Sequence, residues 1–326
     1  MSAIILFVGD ASWDESYQVP HMPKPDEKVF AARFDEGAGG VAANSAAAAR
    51  GLTPDVLAVL AIGGDAVGSQ ISTDLSRVGL ELLPTHGDQS TRVVTLTDPS
   101  GEKRLVLRPG SPMYPTAEAI DLAFDKDRPI AWMHTAAYDI RSAAHAVERC
   151  RNTGARWSLD LEPATFPDGI DSLSEILDGA ELTFCNNAAA SQIGNSAVAR
   201  LFELGVKNVV RTLGSNGASL YSAANPNAHI HIKTPSFDMS IVDTTGAGDC
   251  LAGWCVAELH NGCGLVESLR RAVHAATLSC SKHGGFRSYP SQRDVEDLEQ
   301  ELSATHFSKG NNNNASSAET EVERAR

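Results

Sequence analysis

The sequence predicts an α/β fold of three layers, a doubly wound, mostly parallel sheet carrying a small antiparallel β lid. Three observations predict it. Apolar runs of strand length alternate with helix-like stretches, the pattern of βαβ units around a parallel sheet. Several runs are apolar at every position, as strands covered by helices on both faces must be. Two segments, 11–36 and 88–110, break the alternation with polar-alternating residues and turns such as Pro23-Lys24-Pro25-Asp26 and Asp98-Pro99-Ser100-Gly101.

Strands are expected at 4–8, 56–62, 92–97, 104–107, 130–133, 156–159, 182–185, 208–212 and 218–221. Helices are expected at 40–50, 69–78, 140–152, 191–204 and 249–261. The first run lacks a basic flank and meets Gly9-Asp10 too soon for a signal peptide, so it reads as a buried strand. The two irregular segments read as the lid, a flap able to cover a site. From about residue 304 the chain turns Asn-, Ser- and Glu-rich, too polar to bury surface. The expected organisation is therefore one domain over 1–303 and a disordered tail over 304–326.

At 326 residues and 34.5 kDa, a globule buries about 75% of its unfolded surface and needs no disulfide or metal staple. Apolar residues at 42% and charged residues at 21% exclude a wholly disordered or collagen-like chain. No run approaches the roughly 18 apolar residues of a membrane span. The 27 basic and 41 acidic residues leave a net charge of −14, a field that repels polyanions, so no nucleic-acid partner is expected. A local pocket can still oppose that field for a small anion. The six cysteines (Cys150, Cys185, Cys250, Cys255, Cys263, Cys280) form no CxxC pair, which suits reduced thiols in a cytoplasmic protein.

The strongest chemical signal is Asp243-Thr244-Thr245-Gly246-Ala247-Gly248-Asp249, a glycine turn before an apolar-periodic helix. Gly246 and Gly248 let the backbone turn tightly and a ligand approach closely. Free N–H groups there point into the positive end of a helix dipole, a receptor for a phosphate or a developing oxyanion. Asp249 beside that anion hole makes sense as a proton acceptor for an attacking hydroxyl; alternatively it is a helix N-cap. A second signal is Gly37-Ala38-Gly39-Gly40-Val41-Ala42-Ala43-Asn44. Its glycines admit a bulky ligand, and Asn44 offers a donor and an acceptor to hydroxyls; close packing of small residues is the alternative. Trp132, Trp157 and Trp254 are expected in the core, and His229-x-His231 on a surface edge strand.

Together these segments resemble the ribokinase-like (PfkB) family of carbohydrate kinases. Gly39, Gly40 and Asn44 match its GG-xxx-N signature, and Asp243–Asp249 its DTxGAGD signature in full. Asp14, Gly63-Gly64-Asp65-x-x-Gly68, Thr212-Leu213-Gly214-Ser215-Asn216-Gly217, and Ala275–Ser279 with Gly284-Gly285 extend the likeness over roughly residues 3–300. The resemblance implies ATP-dependent phosphorylation of a sugar hydroxyl, with Mg²⁺ and, in some members, K⁺. It implies Asp249 as general base and the N–H groups of Gly246, Ala247 and Gly248 as the γ-phosphate hole. Asp14, Gly39, Gly40 and Asn44 would grip the sugar. Thr212, Gly214, Gly217, Ala276 and Ser279 would line the ATP site, and Asp243 and Thr245, with the loop around Gly285–Ser288, would hold a monovalent cation. Lys28 and Arg108, the latter in Arg108-Pro109-Gly110-Ser111, would meet an anionic sugar; the alternative is a solvated lid face.

Two departures stand out. The family's NxxE run is replaced by Asn186-Asn187-Ala188-Ala189-Ala190, with no Glu, which puts the mode of Mg²⁺ binding in doubt. After 156–159 the chain reads Asp160-Leu161-Glu162-Pro163, without the Arg of acid-sugar kinases. Ribose, fructose, a deoxy-keto acid and a sulfonated ketose all remain substrates to weigh. Two other functions are weighed: a non-catalytic sugar binder on the same fold, and an NAD-dependent oxidoreductase suggested by Gly37-x-Gly39-x-x-Ala42 with Asp55 downstream. Exposed lid edges predict a homodimer that pairs lids across a two-fold.

Overall fold

The computed structural model describes residues 2–110, 112–237, 239–310 and 321–324. In chain order the elements run β1 Ile4–Asp10, β2 Ser12–Gln18, β3 Arg33–Gly39, α1 Val41–Arg50, β4 Val56–Gly63, α2 Ala66–Arg77, β5 Glu81–Gly87, β6 Thr91–Thr97 and β7 Lys103–Arg108. They continue with α3 Ala117–Phe124, β8 Ile130–Ala136, α4 Ile140–Thr153, β9 Arg156–Leu161, α5 Ser174–Leu177, β10 Leu182–Cys185, α6 Asn187–Ile193, α7 Ala197–Glu203 and β11 Asn208–Thr212. The last are β12 Ala218–Ser222, β13 Asn225–Ile232, α8 Ala247–His260, α9 Leu265–Ser279, α10 Gln292–Gly310 and β14 Glu321–Arg324.

The main sheet has the order β14-β13-β12-β11-β10-β9-β8-β1-β4-β5. It is parallel from β11 to β5 and antiparallel from β11 out to β14. Strand β1 shows why its sequence is wholly apolar. Ile5 and Phe7 point to one core, with Trp132, Phe184 and Trp254, under α1, α8 and α9. Leu6 and Val8 point to the other, with Met133, Trp157 and Leu159. Alternation on a pleated strand sends successive residues to opposite faces, and both are covered. The small residues of α1 let it lie close to α8: a Cβ on Gly253 would run into the Ser45 carbonyl.

The small sheet has the order β3-β2-β6-β7. Pairs β2–β3 and β6–β7 are antiparallel as expected, but β2 and β6 run parallel. Each leaves the carboxyl edge of the main sheet, β2 from β1 and β6 from β5, so they must run the same way. Asp65 fixes that base: it caps α2 at the Gly68 N–H (2.8 Å) and accepts from the Ser90 hydroxyl (2.6 Å).

Other expectations need correction. The helix expected over 191–204 is two, α6 and α7, broken where Gly194 takes φ +113°. Strand β5 went unread because Pro84 interrupts it; an edge strand tolerates a proline. The edge expected at His229-x-His231 is covered by β14. The boundary expected at 303 falls inside α10, which runs to Gly310, and Glu321–Arg324 pairs with β13, so the tail is not wholly without structure. Residues 311–320 lie outside the described residues. Among the described residues, no helix is long and apolar enough to cross a membrane.

Candidate active site

The carboxyl ends of the parallel strands, where open α/β sheets bind ligands, converge beneath the lid. Strand β1 ends in Asp10, whose carboxylate accepts from the N–H groups of Val41 (3.1 Å) and Ala42 (3.2 Å). It thus caps α1, whose own N-cap is Gly40, at φ +104°, without a side chain. A Cβ on Gly40 would crowd Ala11 Cα at 2.8 Å, so this glycine is required by the approach of the end of β1 to the turn. This places Asn44 one turn into α1, buried, with its Nδ2 donating to Asp249 Oδ2 at 2.7 Å.

Asp249 stands in the first turn of α8, whose N-cap Gly246 adopts the left-handed conformation at φ +75°, ψ 4°. The Tyr289 hydroxyl donates to the Gly246 carbonyl at 2.7 Å and fixes that turn. The Ala247 N–H folds back onto Thr244 O at 3.3 Å. Of the expected donors, Ala247 is therefore partly spent. The helix leaves the N–H groups of Gly248 and Asp249 without intrahelical acceptors. A Cβ on Gly248 would meet nothing within 4 Å, so a ligand can approach the loop there.

The electrostatics are those of a proton acceptor. Burial pushes the Asp249 carboxyl well above its usual range, and Asp160, Glu162 and Asp10 push it further; the Asn44 hydrogen bond opposes them. Asp160 and Glu162, at the end of β9, are themselves raised by burial and by like charge. The Tyr138 hydroxyl donates to Glu162. Asp14 on β2 accepts from the Ser12 hydroxyl at 2.5 Å, and burial raises it to about 6. A Cβ on Gly39 would strike the Asp14 carboxylate, which explains that glycine.

Asp14 opens onto a cavity of about 640 Å³ between the lid and the loop 241–245. Arg287 braces its wall: its guanidinium donates to Glu36 O on β3 (2.7 Å) and pairs with Asp74 on α2. Arg108 and Lys28 are exposed and do not line this cavity; the Arg108 guanidinium donates to Ser90 O at 3.1 Å. Ser111, beside Arg108, lies outside the described residues.

The expected nucleotide residues fall farther along the same edge. Thr212 ends β11, and the turn 213–217 closes with Leu213 N–H donating to Gly217 O (2.8 Å). A Cβ on Gly217 would strike the Ile232 carbonyl. Ala276 is half-buried at the end of α9. Ser279 is buried and donates to Ala276 O at 2.8 Å, so its hydroxyl is not turned to an open site. Asn186, left from the broken NxxE run, caps α6 at the Ala189 N–H (2.8 Å). Among the described residues, no group of three or more His, Cys, Asp and Glu side chains converges as a metal site. Asp243 and Thr245 do come together, but around the ammonium of Lys103, 3.0 Å from Thr245 Oγ1 and 3.4 Å from Asp243 Oδ1.

Sequence reasoning missed Lys103, Tyr289, Arg287, Asp10 and Asp160. Only the last two carried a signal, as acids at the carboxyl ends of apolar strands. The Gly37-x-Gly39-x-x-Ala42 run begins inside lid strand β3 and does not follow a buried parallel strand, so it lacks the dinucleotide-binding context.

The family model described as pfkB family carbohydrate kinase matches residues 4–292. A ribokinase of Arabidopsis thaliana is 27% identical over 306 residues, covering 89% of this chain and 79% of the relative. A solved Arabidopsis thaliana ribokinase complexed with ribose and ATP superimposes with a TM-score of 0.78 at 23% identity, over 91% of this chain and 99% of that one. A solved phosphofructokinase-2 of Escherichia coli, in complex with potassium, gives a TM-score of 0.71 at 20% identity, over 93% of this chain and 100% of that one.

Proposed function

Because the chain belongs to the pfkB family of carbohydrate kinases, we propose that this sugar kinase moves the γ-phosphoryl group of ATP to a hydroxyl of a neutral sugar. The observation that carries the mechanism is Asp249, held by Asn44 at 2.7 Å beside the open N–H groups of α8. The sugar reaches from Asp14, in the lining of the lid cavity, to Asn44 and Asp249, which lie outside that lining. Asp249 takes the proton from the attacking hydroxyl, whose oxygen bonds to the γ-phosphorus as the bond to ADP breaks. The N–H groups of Gly248 and Asp249 face the charge that spreads over the phosphoryl oxygens. The turn 213–217 carries the nucleotide. Mg²⁺ supplies charge neutralisation on the phosphates and arrives with the nucleotide, as suits an ion that keeps water ligands.

The lid cavity favours a neutral sugar over an anionic one. Asp14, Asp35, Glu36, Asp98 and Asp243 outnumber the basic Arg33, Lys103 and Arg287 in its lining, and Arg287 and Lys103 are already paired. The test is ADP release across neutral sugars (ribose, 2-deoxyribose, fructose) and anionic ones (2-keto-3-deoxygluconate, sulfofructose), with the product identified by phosphorus NMR. A neutral sugar should be phosphorylated with kcat/KM at least tenfold above any anionic one. Preference for an anionic sugar would return Arg108 and Lys28 to the specificity role. Stabilisation by sugars without ADP release would favour the non-catalytic binder.

The outer lid surface supports a homodimer. Phe30, in the loop between β2 and β3, is 91% exposed, and Leu105 and Val106 on the outer strand β7 are 64% and 68% exposed. Light scattering at micromolar concentration should give twice the chain mass, and Val106→Lys should shift it toward one chain mass. A wild-type monomer would end this reading. The six free cysteines suit a cytoplasmic setting.

A further inference from the structure

The potassium of the phosphofructokinase-2 neighbour raises the question of what Asp243 and Thr245 hold in this chain. Here they hold a side chain. Lys103 opens β7, at the tip of the lid hairpin, and its ammonium reaches Thr245 Oγ1 at 3.0 Å, with Asp243 Oδ1 and Thr244 Oγ1 each at 3.4 Å. The remaining capacity of the Asp243 carboxylate is also used. Oδ1 accepts from the Thr245 N–H (2.9 Å) and hydroxyl (2.7 Å), and Oδ2 from the Gly284 N–H (3.2 Å). Both partners are shielded, Lys103 being 29% and Asp243 17% exposed at the side chain, so salt screens the pair less than a surface pair. A K⁺ ion at these oxygens would have to displace an ammonium of the same charge and similar size.

We infer that Lys103 supplies, from the lid, the single positive charge needed by the loop that opens α8, and that this chain dispenses with a monovalent cation there. The inference rests on the kinase reading for its kinetic arm only. Lys103 is a positioning residue. It stands 140 residues from Asp243 in sequence, on the lid sheet, whereas Asp243 lies in the loop before α8, so the pair forms only when the lid lies over the core. Lid closure thereby tightens the turn that presents the Gly248 and Asp249 N–H groups. A free cation would hold that turn whatever the lid did.

The test compares wild type, Lys103→Met and Lys103→Arg in K⁺, NH₄⁺ and tetramethylammonium salts at fixed ionic strength. The readouts are thermal unfolding and, with the phosphorylated sugar, kcat and KM. Wild type and Lys103→Arg should unfold at the same temperature in all three salts. Lys103→Met should unfold earlier in tetramethylammonium and recover in K⁺ or NH₄⁺. Its kcat should fall roughly ten- to a hundredfold, the scale of one charge-assisted contact, and recover with K⁺, with KM for ATP changed much less. Wild type stabilised or activated by K⁺ would overturn the inference, as would a Lys103→Met loss that no cation restores. If wild type phosphorylates no sugar, the kinase reading fails while the unfolding comparison still decides the role of Lys103. Should Lys103→Met not fold in tetramethylammonium, folding regained in K⁺ supports the inference, and failure in every salt overturns it.

Discussion

Asp249→Asn is expected to lower kcat by about 10²- to 10⁴-fold, the contribution of a positioned general base, while leaving the fold intact. The amide keeps an oxygen for the Asn44 donor, now 2.7 Å from the carboxylate, and loses only the capacity to take a proton. The stability arm has a definite sign. The folded-state pKa of Asp249 is raised, by burial first and by Asp160, Glu162 and Asp10 after it. Such a group favours the folded state fully below its unfolded pKa, and that advantage is lost as pH rises through the folded pKa. At pH 8 the Asp249 carboxyl therefore costs stability relative to a neutral amide, and the Asn variant should melt no lower than wild type, with any advantage shrinking as pH falls. In wild type, kcat/KM should rise with pH through the raised pKa of this base. A variant that melts far below wild type at pH 8, or retains activity within tenfold, would remove Asp249 from the base role.

That trade explains which parts of the molecule could be read from sequence. Strand β1 and helix α1 were legible because burial on both faces forces one chemistry at every position of 4–8, and close packing on α8 forces Ala and Ser into α1. The loop Asp243–Asp249 was legible because a left-handed Gly246 and an open Gly248 can be little else. The contacts that tune the site were not. Tyr289 holds Gly246 across 43 residues and Lys103 reaches Thr245 across 142, and neither distance leaves a periodic trace. Arg108 shows a related limit: its charge is visible in sequence, but its place on the outer lid strand β7, outside the cavity lining, is set by the pairing of β6 with β7. Pro84 hid β5 because the signal that excludes a central strand is harmless at an edge.

Gly246→Ala is expected to be the second most damaging change, and it tests the loop rather than the base. At φ +75° a side chain costs about 1–2 kcal/mol of backbone strain. The added Cβ would also meet the Tyr289 hydroxyl at 2.7 Å and Gly285 Cα at 3.3 Å. Neither can withdraw freely, since Tyr289 is bonded to the Gly246 carbonyl and Gly285 lies against Asn44. The turn must therefore open, which moves the Gly248 and Asp249 N–H groups off the phosphoryl oxygens. Losing one such donor costs roughly 10²- to 10³-fold in kcat, and the loss should fall on kcat, with KM for sugar changed far less, because Asp14 and the lid cavity lie on other elements. Tyr289→Phe separates the two causes. It removes the hydrogen bond but leaves the left-handed turn and its glycine, so it should reproduce a fraction of the kcat loss without the backbone strain. If Gly246→Ala instead raises KM for sugar and spares kcat, this turn is part of the sugar pocket and not the anion hole.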